Sequence, residues 1–351
     1  MNSGKQHESY NFFMITYLSL NMIKNNLYIA RILISLLLLT LAGCNTNPKE
    51  TTPEESTLTG NIVDRLTKTQ EKSGSLNLSL LTTDLSSGVN RIAFALIEEN
   101  TNTVIKKAPI NMRIYQLDLD RKKIPESEIT VTPELVEIPR GYSHLHEDDT
   151  AHFHDSVSIG IYVSRPIIPT DGYWLIELDM DPNGSTVYIN PLVIQIRENS
   201  LSPSIGSPAP HSEQVILSEA SHISDIDTSS PPDPEMHNMT IKEAIENERP
   251  TVIIFASPGF CLSLTCGTTK LLIDEMYQKH KNVADFIHIE PYDLDKVRNN
   301  QGLVPMDIMY EWGLRSEPWI FLLDSYGNIS AKFEGAITKE ELENSFKLIS
   351  P

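Results

Sequence analysis

Residues 250–257 read PTVIIFAS, a strand-length run with no polar face. A half-exposed strand alternates polar and apolar residues, whereas a run that is apolar on both sides must be covered on both. Such a run belongs in the middle of an α/β sheet, with helices above and below. The flanking sequence supplies them. Before it, TIKEAIENE opens on Thr240 with Glu243 three residues later, a capping-box pattern. After it, TKLLIDEMYQKH is amphipathic at helical spacing and ADFIHIE is a second apolar strand. PMDIMYEWGL reads as helical, PWIFLLD as a strand, DSYGN as a hairpin turn and ISAKFEG as the returning strand. TKEELENSFKLI closes the chain as a helix capped by Thr338. An α/β domain is therefore expected over residues 236–351.

Upstream the pattern differs. Between residues 74 and 198, SLNLSLL, RIAFALIEE, NMRIYQLDL, SIGIYVSR, GYWLIELDM and TVYINPLVIQI are short β-runs separated by SSG, ENTNT, PTDG and DPNG. Strands at this spacing with no convincing helix predict an all-β sandwich. DGYWLIELDM resembles the closing strands of small immunoglobulin-like periplasmic domains, which implies an immunoglobulin-like sandwich. LSPSIGSPAP and DTSSPPDPE then mark residues 199–235 as a Pro/Ser-rich linker. No internal repeat is visible.

The N-terminal segment carries an address rather than a fold. From Met22, where translation is expected to start, Lys24 and Arg31 precede the apolar stretch 32–41, and Ala42-Gly43 precede Cys44. This order predicts a signal peptide over residues 1–43, too short for a comfortable membrane span. Residues 41–44, LAGC, resemble the lipobox of bacterial lipoproteins. The resemblance implies cleavage before Cys44, a diacylglycerol on its sulfur, and a protein held on the outer side of a bacterial cell membrane. Residues 44–73, rich in Thr, Glu, Pro and Asn, then read as a flexible tether. Loss of Lys5, Lys24 and Arg31 along with Glu8 takes the net charge from −19 to −21. With that charge and no Lys/Arg run, nucleic acid is excluded as a partner.

Of three cysteines, Cys44 is assigned to the lipid, leaving Cys261 and Cys266 in a compartment where disulfides persist. The strand–helix–strand–helix–strand–hairpin–strand–helix order of residues 236–350 resembles the thioredoxin fold. Three segments carry the likeness: the cysteines after VIIFAS at a helix entrance, EWGLRSEPW with Pro318 before a central strand, and DSYG with FEG at the terminal hairpin. The likeness extends to bacterial thioredoxin-like proteins with a C-x-S-x-T-C-G centre preceded by a GSPAP tract, present here at 206–210. It implies a cis bond before Pro318 and a backbone there that pairs with an extended substrate, with Glu317 beside it. A thiol at a helix N-terminus meets unpaired N–H groups and the positive end of the dipole, which favour thiolate. On this reading Cys261 attacks and Cys266 resolves. Four residues separate the cysteines where thioredoxins have two. Positions five apart in a regular helix lie about 7.5 Å apart along its axis, so either Cys261 lies in the loop before the helix or the first turn is distorted. His288 and Glu290 share a face of ADFIHIE, and Glu290 is a candidate proton partner for Cys266, against the ordinary reading of two plain strand residues. Trp312 and Trp319 read as core.

HLHEDDTAHFHD, residues 144–155, places His144, His146, His152 and His154 in two H-x-H pairs between strands. Residues i and i+2 share a strand face, so a hairpin here presents two imidazole pairs, a donor set for copper or zinc. The alternative is a solvated polar hairpin.

Three functions remain. The first is extracytoplasmic thiol–disulfide exchange with thiol or disulfide proteins, needing no cofactor. The second is a lipoprotein that carries copper or another soft metal. The third is a non-catalytic surface-binding protein in which the sandwich acts and the disulfide is a staple.

Overall fold

The structure, a computed structural model, describes residues 75–106, 110–145, 151–180, 188–261 and 265–350. The leader, the Cys44 motif, the tether and His146 lie outside the described residues. All described residues belong to one compact unit, Gln70–Pro351.

The first half is built from β1 (Ser75–Leu80), β2 (Gly88–Val89), β3 (Ile92–Glu98), β4 (Val104–Ile105), β5 (Ile110–Gln116), β6 (Ile129–Val131), β7 (Glu134–Leu145), β8 (Ala151–Ser164), β9 (Ile167–Ile168), β10 (Gly172–Met180), β11 (Tyr188–Asn190) and β12 (Leu192–Ile196). One sheet runs β11-β1-β3-β8-β7 with β4 against β3; a second runs β12-β10-β5-β6; β2 and β9 form a short pair. The region is all-β, as the alternating runs predict. Along β10, Trp174, Ile176, Leu178 and Met180 are buried while the residues between them are more open, so every second side chain faces the core. They meet Phe94 and Leu96 of β3, Met112 and Ile114 of β5 and Tyr162 of β8, and one apolar cluster thus fills the space between the two sheets. Each such aliphatic or aromatic side chain contributes about 1.5–3 kcal/mol on burial.

The second half contains α1 (Ile241–Glu246), β13 (Thr251–Phe255), α2 (Cys266–His280), β14 (Asp285–Ile289), α3 (Leu294–Arg298), α4 (Asp307–Glu311), β15 (Trp319–Leu323), β16 (Ile329–Glu334) and α5 (Lys339–Phe346). The sheet order is β14-β13-β15-β16, with β13 parallel to β14 and antiparallel to β15. Every residue of β13 and β15 is buried, which is why TVIIF and WIFLL carry no polar face. Val252 and Ile254 face α2 and α5 through Ile273, Met276, Leu342 and Phe346. Ile253 and Phe255 face the other way, toward Ile241, Ala244, Met309 and Trp312. Thr240 and Thr338 each close a capping box, with Glu243 and Glu341. The helix expected in PMDIMYEWGL is confined to Asp307–Glu311 and ends before Gly313, which has a φ of 64°. Leu294–Arg298, capped by Asp293, is a short helix that the sequence reading left out.

Residues 199–235, read as a linker, are packed against the second half. Gly206, Ser207 and Ala209 exchange backbone hydrogen bonds with Gly327 and Ile329, extending the sheet edge beside β16. Ala209, Ser212 and Asp227 are buried. Polar bonds also join the two halves. The Glu334 carboxylate accepts from the backbone N–H groups of Thr83 and Asp84 and from the Thr83 hydroxyl at 2.6–2.9 Å. Arg91 donates two hydrogen bonds to Glu341, both 2.9 Å, and one to the Ala336 carbonyl.

Candidate functional site

Strand β13 delivers the chain to Ser257, and a turn closed by Phe260 N–H to Ser257 O carries it to Cys261. Cys261 and Cys266 form a disulfide with a Cα–Cα separation of 6.2 Å. Cys261 lies in the loop, partly exposed, and Cys266 is the first residue of α2 and fully buried. Cys261 therefore precedes the helix, one of the two placements that the spacing allows. The inner cysteine, not the outer one, occupies the first helical position, where the dipole and free N–H groups stabilise a thiolate. A disulfide is thus present, as expected for a redox pair and equally for a staple.

The Glu317–Pro318 bond is cis, and Pro318 leads directly into β15. The Pro318 carbonyl accepts from the Gly335 N–H at 2.8 Å. Glu317 faces the cysteines: one carboxylate oxygen and both sulfurs lie within 4.8 Å of one another. The Ser257 N–H donates to that carboxylate at 2.6 Å. Burial pushes the Glu317 carboxyl up to about 7; the Ser257 bond works against this and the nearby Glu290 charge reinforces it. The Tyr292 phenol, next to Glu317, is raised as well, by burial first and by that carboxylate second.

Glu290, the candidate proton partner for Cys266, is held through one oxygen by the Thr228 segment. Its Oε1 accepts from the Thr228 N–H at 2.7 Å and from the Thr228 hydroxyl, and burial raises its carboxyl. Thr228 also accepts from the Gly259 N–H at 3.0 Å. A Cβ on Gly259 would stand 2.9 Å from Thr228 Cβ, so the cysteine loop and the Thr228 segment fit only with glycine there. His288 lies in a second group, with Asp227 and His237, whose ligand atoms are all within 4.8 Å of one another. This group is able to bind a metal ion. Asp227 and His237 come from the stretch read as a linker and its edge, 61 and 51 residues before His288, and no spacing in the sequence connects them. Trp312 and Trp319 are core residues, Trp319 stacked on Phe321 and Trp312 meeting that ring edge-on.

In the β7–β8 hairpin the backbone register sets His144 opposite His152 and Tyr142 opposite His154. His146 lies outside the described residues.

No protein-family model matches the chain, and no curated protein matches it. Among the described residues no helix is long and apolar enough to cross a membrane.

Proposed function

We propose that this chain is a thioredoxin-like thiol–disulfide oxidoreductase, held on the outer side of a bacterial membrane by a lipid on Cys44. The observation that carries the proposal is the bonded pair itself: a partly exposed Cys261 joined to a buried Cys266 at a helix start, next to a carboxyl and a cis-proline. A buried staple has no need of a partly exposed cysteine or of a carboxyl whose affinity for protons is raised. The β14-β13-β15-β16 order with helices on both faces supports the thioredoxin-like assignment. The all-β half is read as an immunoglobulin-like module that presents this end to protein partners.

In the reduced protein, the Cys261 thiolate attacks one sulfur of a partner disulfide. A mixed disulfide forms and the partner's other sulfur leaves as thiolate. The Cys266 thiolate then attacks the Cys261 sulfur, restores the internal bond and releases the partner's second thiolate. Two electrons pass to the partner, and the reverse sequence oxidises a partner dithiol. Glu317, protonated below about pH 7, supplies a proton to a leaving thiolate and, once ionised, takes a proton from a thiol that is about to attack.

A redox titration of the chain lacking residues 1–44, read by alkylation and mass, tests this reading. A midpoint above about −270 mV identifies a bond able to exchange, and one below about −300 mV identifies a structural staple and ends the proposal. A soft-metal site is the second reading, favoured by the grouping of both sulfurs with Glu317. Stoichiometric Cu(I) uptake by the reduced protein, lost in Cys261→Ser, would support it over exchange.

A further inference from the structure

Asp227, His237 and His288 form a dry cluster 2%, 4% and 1% exposed, apart from the cysteine–Glu317 group. The His288 ring is oriented by its Nε2, which lies 2.9 Å from the Ala256 carbonyl oxygen. A carbonyl only accepts, so Nε2 carries the hydrogen. The other nitrogen, Nδ1, points at Asp227 Oδ1 from 3.5 Å and makes no hydrogen bond among the described residues. With the hydrogen on Nε2 alone this sets a bare lone pair against a carboxylate in the interior, an arrangement relieved either by a second proton on Nδ1 or by a metal ion between the two groups. His237 Nε2 reaches Asp227 Oδ2 at 3.2 Å, and the two imidazole centroids are 5.1 Å apart.

We propose that Asp227, His237 and His288 are the ligands of a buried zinc ion, with His237 Nε2, His288 Nδ1 and both oxygens of Asp227 as its donors. The spacings suit the ion. Donors on different residues about 2.0–2.1 Å from a tetrahedral zinc stand about 3.3 Å from one another, against nitrogen–oxygen spacings of 3.2 and 3.5 Å here, with the Asp227 carboxylate chelating at one corner of a distorted site. Two imidazoles and a carboxylate are borderline donors that suit zinc better than Cu(I) or calcium. The outer contacts are those of a metal site as well. His288 donates its far N–H to a backbone carbonyl, and the Asp227 oxygens accept from the Ser229 and Asp233 N–H groups at 2.7 and 3.1 Å. Net charge also permits it: Lys270 is paired with Asp274, which leaves the Asp227 carboxylate to face the ion.

The position gives the ion a task. It joins the 227–237 segment to β14, and the next residue, Thr228, holds both the loop before Cys261 and Glu290. The site is thus a clamp behind the redox loop, and it stands whether or not Cys261–Cys266 exchanges.

The test uses the full-length chain in detergent, oxidised so that no thiolate is free, with His144, His146, His152 and His154 replaced by alanine. The protein is exposed to Zn²⁺ or Co²⁺, desalted and assayed for metal. One equivalent is expected, with the strong visible absorption of four-coordinate Co²⁺, and Asp227→Asn and His237→Gln should each weaken binding at least about tenfold. Because these variants could unfold, ¹⁵N spectra of the parent protein supply a second readout: His288 Nδ1 should shift on metal addition and carry no proton. No retained metal, with a protonated Nδ1, would overturn the proposal and leave a buried imidazolium–carboxylate pair. So would equal uptake by folded Asp227→Asn and His237→Gln.

Discussion

The Glu317 carboxylate takes a 2.6 Å hydrogen bond from the backbone N–H of Ser257, tying the residue before cis-Pro318 to the loop that leads to Cys261. Two loops from different strands thereby meet at a single group whose charge changes near neutral pH.

That charge predicts a pH-dependent stability. With the folded carboxyl raised to about 7 from an ordinary 4.5, the native state holds the proton more tightly than the unfolded chain. The contribution is fully present below about pH 4.5 and is lost as pH rises through about 7, a decline on the order of 3 kcal/mol. Urea unfolding between these limits should show it, and Glu317→Gln should remove most of it, leaving the slope due to Glu290. An undiminished slope in the variant would assign the decline to other groups.

Glu334 is a second carboxylate whose loss has a definite cost. It accepts from Thr83 N–H and hydroxyl, Asp84 N–H and the Ser316 hydroxyl, at 2.6–2.9 Å. Alanine would leave these donors unpaired at a junction between the two halves, and Glu334→Ala should lower unfolding free energy by about 3 kcal/mol. Glu334→Gln, which keeps one good acceptor, should lose less. Equal losses would mean that packing rather than acceptance dominates there.

Two glycines separate backbone strain from collision. Gly313 has a φ of 64°, and a Cβ added there would lie 2.1 Å from the Leu201 carbonyl oxygen. Gly88 has a φ of 105° and nothing within 4 Å of its added Cβ. Gly88→Ala should cost about 1 kcal/mol, the conformational term alone, whereas Gly313→Ala should cost at least twice as much. Gly313→Ala should also expose residues near 201 to limited proteolysis. Similar melting temperatures for the two variants would show that the 201–202 segment yields without loss.

Cys44 bears the claim of membrane attachment. Cells fed labelled fatty acid should label the wild-type chain and not Cys44→Ser, and the variant should leave the membrane fraction. Labelling of Cys44→Ser would refute the lipid assignment.

What could be read from the sequence was local or periodic. TVIIF and WIFLL announce fully covered strands because five buried residues in a row leave no face for water. Thr240 and Thr338 announce helix starts because their partners are three residues away. Helix geometry narrows Cys261 to the loop before the helix or a distorted first turn, and the structure has the loop. What stayed hidden depends on contacts across long stretches of chain. Asp227 and His237 sit among prolines and serines, whose composition reports turns and says nothing of a histidine on β14. Leu294–Arg298 is too short for any period to emerge. That Cys266 is the first helical residue also stayed hidden, since the sequence marks the helix but not its first residue.

The packed 199–235 segment also fixes an order of events during synthesis. Gly206 to Ala209 leave the ribosome more than a hundred residues ahead of Gly327 and Ile329, the backbone partners that seat them at the sheet edge. Until those arrive, the segment waits without its edge. An apolar strand in that position would invite pairing with another chain, whereas prolines deny it a continuous ladder and serines keep it solvated. The composition that reads as a spacer is thus the one suited to a piece of the fold that must be made early and seated last.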